Sequence, residues 1–136
     1  KTNGDVVLED WWSGLIDSGY RRGAVAQVLD LKTGITFNIA RYGGSNHLDA
    51  EPLTAEDTDR YMQCFGYVTT WSARPILVII NGVSAMNGMP HGGENITSNN
   101  CDGQFCIHFL NSRTHGGNSV NQDMQNQVMV AYNWSR

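Results

Sequence analysis

Residues able to do nucleophilic chemistry are concentrated in one part of the sequence, between Met86 and Gly116. That stretch holds three of the four histidines and two of the three cysteines. His91 stands in a glycine-rich loop, and Cys106 opens a strand-like segment. A thiol with a pKa of about 8.5 needs a base or cation beside it to become the reactive thiolate, and histidine supplies one near neutral pH. The pattern therefore indicates a thiol nucleophile, Cys106, with His91 as its base.

The cysteines also have a purely structural interpretation. Free cysteine is often buried as a small apolar side chain, and Cys106 on a core strand fits that description. The odd number of cysteines argues against a framework made only of disulfides. Cys64 and Cys101 are predicted either to pair with each other or to remain as two buried thiols.

The same segment resembles the signature of L,D-transpeptidase (YkuD-type) catalytic domains. That signature is His-Gly, a spacer, and then Ser/Thr-His-Gly-Cys followed by an apolar residue and Arg. Here His91-Gly92 match the first part, and Cys106-Ile107 match the core of the second at the expected spacing. The flanking segments 41–47, 51–54 and 84–92 also resemble a bacterial branch of these domains, and the likeness spans roughly residues 23 to 130.

The resemblance implies a catalytic set around the thiol. Cys106 would be the nucleophile and His91 its base, with the carbonyl of Gly92 orienting the imidazole ring. The backbone N–H groups of Phe105 and Cys106 would hold the oxyanion. The substrate-binding residues are expected to be Asn87, Gln104, His108, Arg113, Thr114 and His115.

Three of these positions depart from the signature. Gln104 stands where the signature has His, Phe105 where it has Gly, and His108 where it has Arg. Gln104 can still donate a hydrogen bond, and Phe105 keeps its backbone N–H but is expected to narrow the site. His108 would meet a substrate carboxylate only when it is protonated.

The implied function is cysteine-dependent acyl transfer on peptidoglycan stem peptides, as an L,D-transpeptidase or L,D-carboxypeptidase working through a thioester on Cys106. Neither a cofactor nor a resident metal is expected. The expected location is extracytoplasmic, secreted or associated with the cell envelope. Peptidoglycan stem peptides would be the partners, and the parent protein would carry appended peptidoglycan-binding domains.

Two other functions remain open. One is a non-catalytic module of the same fold that binds cell-wall peptides, as Gln104 and Phe105 suggest. The other is a zinc-dependent hydrolase, because potential ligands stand two apart in two segments and would share one face of a strand: His47 with Asp49, and Cys106 with His108. His91 and His115 would complete such a ligand set.

Composition limits the other classes. The chain has 136 residues, about one domain, and a net charge of −4 with a pI of about 5.4. Its nine Lys and Arg residues form no basic stripe, so nucleic-acid binding is not expected. No apolar run is long enough to span a membrane, and no signal peptide is visible. Because no Met begins it, the sequence reads as a mature or excised fragment.

Strand patterns dominate the elements that must position the chemistry. An apolar run at 24–31, a Lys32-Thr33-Gly34 turn and alternating residues at 35–40 predict a hairpin. A second hairpin is predicted from 76–80 to 83–87 through Asn81-Gly82, the strongest turn signal in the chain. A further strand is expected at 105–110, and 42–47 is expected to be a loop.

Two helices are predicted near 54–66 and 120–133. Thr54 caps the first, and apolar residues at helical spacing mark the second. The sequence thus predicts an α+β fold, mainly β, which the resemblance specifies as an L,D-transpeptidase-like β-sandwich or barrel with two peripheral helices. Residues 1–22 are expected to form an N-terminal arm, and 23–136 an L,D-transpeptidase-like catalytic domain.

Overall fold

Six antiparallel strands close into a barrel in the computed structural model, which describes residues 6–79 and 81–134. The strands are β1 (Val25–Asp30), β2 (Thr36–Gly43), β3 (Leu48–Pro52), β4 (Thr70–Val78), β5 (Gly82–Gly88) and β6 (Phe105–His108). Around the barrel their order is β1-β2-β3-β6-β5-β4. The helices are α1 (Leu15–Gly19), α2 (Ala55–Cys64) and α3 (Gln122–Trp134), with a 3₁₀ turn at Trp11–Ser13. This confirms the predicted α+β, mainly β class, in its barrel form.

The first predicted hairpin is present as β1 and β2. Gly34 adopts a positive φ of 77° in the turn, where glycine is favoured. Asp30 ends β1 and is buried, and its carboxylate accepts hydrogen bonds from the backbone N–H and hydroxyl of Thr33. The same carboxylate pairs with Arg74 through two hydrogen bonds of 2.9 and 3.0 Å, which joins the turn to β4.

The second predicted hairpin is present as β4 and β5, with different boundaries. β4 begins at Thr70, well before the predicted start, and Val78 pairs with Gly82. Gly82 is therefore a strand residue rather than a turn residue. Ile80, the end of the predicted strand, lies outside the described residues.

Strand β3 was not predicted. Its sequence, Leu-Asp-Ala-Glu-Pro, contains four residue types that are depleted in strands: Asp, Ala, Glu and Pro. It forms nevertheless because β2 and β6 pair with it on both sides. Leu48 and Ala50 are fully buried. This strand matters for the site because it places His47 and Asp49 beside β6.

Both predicted helices are present, within two residues of the expected ends. Thr54 caps α2 by accepting a hydrogen bond from the backbone N–H of Asp57, whose carboxylate accepts one from the Thr54 backbone in return. α3 packs against β4 and β5 on the outside of the barrel. Among residues 6–79 and 81–134, no helix is long and apolar enough to cross a membrane.

The core fills the barrel. All six strands contribute, including Val28, Phe37, Ile76 and Met86, and apolar residues from the N-terminal segment and α2 belong to the same cluster. In the N-terminal segment, Trp11 is buried against Phe109, and its indole N–H donates to the Ser45 carbonyl.

Candidate active site

An open cleft lies on the outside of the barrel over β3, β6 and β5. Alternate side chains of β6 point to opposite sides: Phe105 and Ile107 enter the core, whereas Cys106 and His108 line the cleft. The cleft has a volume of about 550 Å³, which suits a small ligand or a short peptide. Its lining residues are Tyr42, His47, Asp49, Trp71, Asn87, His91, Gly92, Gln104, Cys106, His108, Thr114, His115, Gly116, Asn121 and Met124.

Cys106 and His91 meet at the floor of this cleft. Nε2 of His91 lies 3.9 Å from Sγ of Cys106, within reach of a weak sulfur hydrogen bond. Nδ1 of His91 donates to the carbonyl oxygen of Met89 at 2.7 Å. That bond assigns the ring proton to Nδ1 and leaves Nε2 free to accept a proton from the thiol. The orienting carbonyl therefore belongs to Met89, and the expectation that Gly92 supplies it is corrected.

The loop that carries His91 is closed at its base by a short antiparallel bridge. The backbones of His91 and Gln104 exchange two hydrogen bonds of 2.9 and 2.8 Å. Gly103 has a φ of 102°, and a Cβ at this position would clash with the His91 carbonyl. Only glycine therefore allows this close approach, which fixes His91 relative to β6.

Glu51 anchors the middle of the same loop. It projects from β3, is 1 % exposed, and accepts backbone hydrogen bonds from Asn95 and Ile96 at 2.6 and 3.1 Å. Asn99 adds a second anchor by donating from its side-chain amide to the Pro52 carbonyl. The loop is thus fastened to the strand that also carries Asp49.

We expect Glu51→Ala to destabilise the protein by about 3 kcal/mol, because the backbone N–H groups of Asn95 and Ile96 lose a charged acceptor. The rate at which Cys106 is alkylated should fall as well, since the His91 loop is no longer held. Urea unfolding and alkylation with iodoacetamide would measure the two effects. Glu56→Ala, at an exposed carboxylate on α2, is the matched control and should change neither by much. Wild-type stability in Glu51→Ala would contradict the anchoring role.

A second histidine also lies close to the thiol. His47 precedes β3, and its Nε2 lies 2.8 Å from Oδ1 of Asp49. Its Nδ1 lies 2.8 Å from the carbonyl oxygen of Arg113. Three potential metal-ligand atoms lie within 4.8 Å of one another, one each from His47, Asp49 and Cys106. The sequence analysis named His47 and Asp49 only as possible zinc ligands, and the structure places both beside Cys106.

The surroundings of His47 favour its charged form. Burial lowers the pKa of His47, but its side-chain contacts with Asp49 and Cys106 and its bond to the Arg113 carbonyl outweigh burial and raise the pKa to about 10. With a carboxylate on one ring nitrogen and a carbonyl on the other, both nitrogens have acceptors. The His47 side chain is therefore a cation close to Cys106 at neutral pH.

His108 lines the cleft, but its surroundings do not favour the protonated form that the sequence analysis required of it. Its ring stacks on His47 with the centroids 4.6 Å apart, and it is 3 % exposed. Burial, and next the charge of His47, lower the pKa of His108 to about 3. His108 is therefore neutral at physiological pH, and the expectation that its protonated form meets a substrate carboxylate is corrected.

The pKa of His108 predicts a pH-dependent stability. An unfolded histidine titrates near pH 6.5, and a folded one with a lowered pKa adds stability that is present above that pH. This stability should be lost as the pH falls from 6.5 toward 3, by up to about 1.4 kcal/mol per unit. His108→Phe keeps an aromatic ring over His47 but removes the titrating group. Urea unfolding at pH 7 and pH 4.5 should show that its free energy of unfolding falls less between these pH values than that of the wild type. An equal loss in both proteins would contradict the assignment.

The expected oxyanion hole is also changed. The backbone N–H of Cys106 donates to Oδ1 of Asn87 at 3.2 Å, so it is already used. The side chain of Phe105 is fully buried and stacks on Tyr61 with ring centroids 4.3 Å apart, so it does not narrow the site. The amide side chains of Asn87 and Gln104 line the cleft instead. Both are able to donate hydrogen bonds to an oxyanion.

The other predicted substrate-binding residues divide into two groups. Thr114 and His115 line the cleft with Asn87 and Gln104. Arg113 is not among the lining residues of the described chain, because its guanidinium lies over the Trp12 ring at 5.9 Å from the centroid. Its contribution to the site is the carbonyl oxygen that holds His47.

Several lining residues were not predicted as site residues. Trp71 is 60 % exposed, and its ring centroid lies 5.0 Å from that of His91. Tyr42 on β2 and Met124 on α3 form other parts of the wall. The sequence could not identify Trp71 as a site residue, because Trp71 and His91 lie in separate elements and come together only in the folded protein.

The other two cysteines are free thiols. The disulfide left open between Cys64 and Cys101 is therefore not formed, and the alternative of two buried thiols is what the structure has. Burial raises the pKa of Cys64 to about 11, and the charge of Asp30 adds to the rise. Burial and then the nearby charge of Asp102 raise the pKa of Cys101 to about 11. Both thiols should be unreactive at neutral pH.

Comparison of the chain with known protein families, curated proteins and solved structures gave no match.

Proposed function

We propose that this protein is a cysteine-dependent acyltransferase of the L,D-transpeptidase type, acting on peptidoglycan stem peptides. The observation that carries the proposal is the geometry of Cys106 and His91, with Nε2 3.9 Å from Sγ and Nδ1 held by the Met89 carbonyl. The resemblance of the sequence to the L,D-transpeptidase signature selects this substrate class. The proposed location is extracytoplasmic, and the parent protein is proposed to carry peptidoglycan-binding domains.

The first half of the reaction is acylation. Nε2 of His91 takes the thiol proton, and the thiolate attacks the carbonyl carbon of a diaminoacyl–D-Ala bond. The amides of Asn87 and Gln104 donate to the resulting oxyanion, and the His47 cation adds positive charge beside it. His91 then gives the proton to the departing amine, so that D-Ala leaves and a thioester on Cys106 remains.

The second half is deacylation. The amine of another stem peptide attacks the thioester in a transpeptidase, and water attacks it in a carboxypeptidase. His91 accepts the proton of the attacking group and returns it to the thiol as the C–S bond breaks. The open cleft leaves room for either acceptor above Cys106.

The proposal is tested with a tetrapeptide stem that ends in diaminoacyl–D-Ala, followed by intact-mass measurement and peptide mapping. We expect release of D-Ala and a mass increase on Cys106 equal to the remaining acyl group. The same peptide ending in L-Ala is the control and should not acylate the protein. Binding of the stem peptide without an acyl-enzyme would favour a non-catalytic cell-wall-binding module. The absence of both binding and acylation would refute the substrate class.

A further inference from the structure

Four potential metal-binding side chains form a square on the outer face of two paired strands. Asp49 on β3 stands directly opposite Cys106 on β6. His47, which precedes β3, and His108, at the end of β6, each lie two residues from one of this pair, and their ring centroids are 4.6 Å apart. The square therefore joins a carboxylate, a thiol and two imidazoles at one end of the cleft.

We propose that this square binds one Zn²⁺ ion through Nε2 of His47, a carboxylate oxygen of Asp49 and Sγ of Cys106. The three ligand atoms lie within 4.8 Å of one another. A zinc ion with bonds of about 2.0 to 2.3 Å would draw Sγ toward the other two ligand atoms. It would also move Nε2 of His47 and Oδ1 of Asp49, which lie 2.8 Å apart, slightly away from each other. Thiolate, imidazole and carboxylate are the ligands that zinc prefers, whereas magnesium and calcium prefer oxygen alone.

The surroundings of the ligands also suit a metal, which would displace the proton that Nε2 of His47 donates to Asp49 in the metal-free ion pair. Nδ1 of His47 is held by the Arg113 carbonyl at 2.8 Å, which leaves Nε2 directed at the other ligands. Metal-binding histidines are commonly oriented by such an outer hydrogen bond. His108 supplies an independent observation: it lines the same cleft at 3 % exposure, and its Nδ1 has no hydrogen-bond partner in the described part of the chain.

The fourth coordination position faces the cleft. Nε2 of His91 lies 3.9 Å from Sγ, close enough to approach the metal with a small movement of its loop. A water molecule would fill the position otherwise. Zinc coordinated in this way occupies the thiolate, so we expect it to protect Cys106 from electrophiles. Metal binding goes beyond the proposed reaction and does not depend on it; only inhibition of acyl transfer by zinc rests on the proposed function.

The test is a titration of the chelator-treated protein with Co²⁺, followed by displacement with Zn²⁺. We expect one Co²⁺ per chain and a near-ultraviolet absorption band from sulfur-to-cobalt charge transfer. His47→Gln and Asp49→Asn should each weaken binding by at least about 100-fold, and Cys106→Ser should remove the band. Cys101→Ser, which changes a thiol outside the square, is the matched control and should bind Co²⁺ like the wild type.

Two results would overturn the proposal. One is the absence of a charge-transfer band in the wild-type protein. The other is unchanged affinity in both His47→Gln and Asp49→Asn, with circular dichroism showing that they are folded. If both variants fail to fold, alkylation of the wild-type protein decides: one equivalent of Zn²⁺ must slow modification of Cys106 at least about 10-fold. If Cys106 is reactive and zinc does not protect it, the metal site is refuted, whereas the proposed acyltransferase function is not.

Discussion

Cys106→Ala is expected to abolish acyl transfer while the protein stays folded. No other described side chain that lines the cleft carries a thiol, so neither the thioester nor D-Ala release should be detectable. Cys106 packs with Ala85, Met124 and Val128 at the edge of a small cluster, and alanine keeps the apolar character of the position. The free energy of unfolding should fall by only about 1 kcal/mol. Mass spectrometry with a stem peptide and urea unfolding would measure the two effects.

Cys101→Ala is the matched control for this experiment, because it removes a buried thiol that does not line the cleft. It should retain both acyl-enzyme formation and D-Ala release. Full activity in Cys106→Ala would exclude the thioester mechanism. Loss of the folded state in Cys106→Ala, with activity kept in Cys101→Ala, would indicate that Cys106 has a structural role.

His91→Gln is expected to slow alkylation of Cys106 at pH 7 by about 10- to 100-fold. Glutamine keeps polar atoms in the loop but accepts no proton from a thiol, so the base is lost. Acylation by a stem peptide should fall further, by about 100- to 10,000-fold, because the leaving amine also loses its proton donor. Timed reaction with iodoacetamide and single-turnover acylation would give the two rates.

The same substitution at His115 is the control for His91→Gln. His115 is exposed on the wall of the cleft, and no contact of it with the thiol is seen in the described chain. The rate of Cys106 alkylation in His115→Gln should stay within about twofold of the wild-type rate. An unchanged rate in His91→Gln would show that His91 is not the base, and His47 would then be the next histidine to substitute.

Much of the fold follows from local pattern. The hairpin around Lys32-Thr33-Gly34, the cap at Thr54 and the apolar spacing of α3 all depend on residues close in sequence, and each is present. Strand β3 does not follow from local pattern, because its sequence is unfavourable and its two neighbouring strands stabilise it. Closure of the barrel depends on the same long-range pairing, so the sequence left a sandwich or a barrel open.

The candidate site also has a part that could be predicted from the sequence and a part that depends on long-range contacts. Residue type and spacing, together with the resemblance to the L,D-transpeptidase signature, picked out His91 and Cys106. The closed loop between them brings the two together. The position of His47 at the thiol could not be read from the sequence, since it requires the unpredicted strand β3. The carbonyl that orients His91 and the neutral state of His108 also depend on burial and on atoms from other elements.

The most direct test of the central claim is the rate of alkylation of the folded wild-type protein at neutral pH, with peptide mapping of all three cysteines. Cys64 and Cys101 serve as internal controls, because burial raises the pKa of each to about 11. The account predicts that iodoacetamide modifies Cys106 rapidly and faster than an ordinary free thiol, while the other two stay unmodified until the protein unfolds. Reaction at Cys106 no faster than that of an unfolded thiol, in metal-free protein, would contradict it.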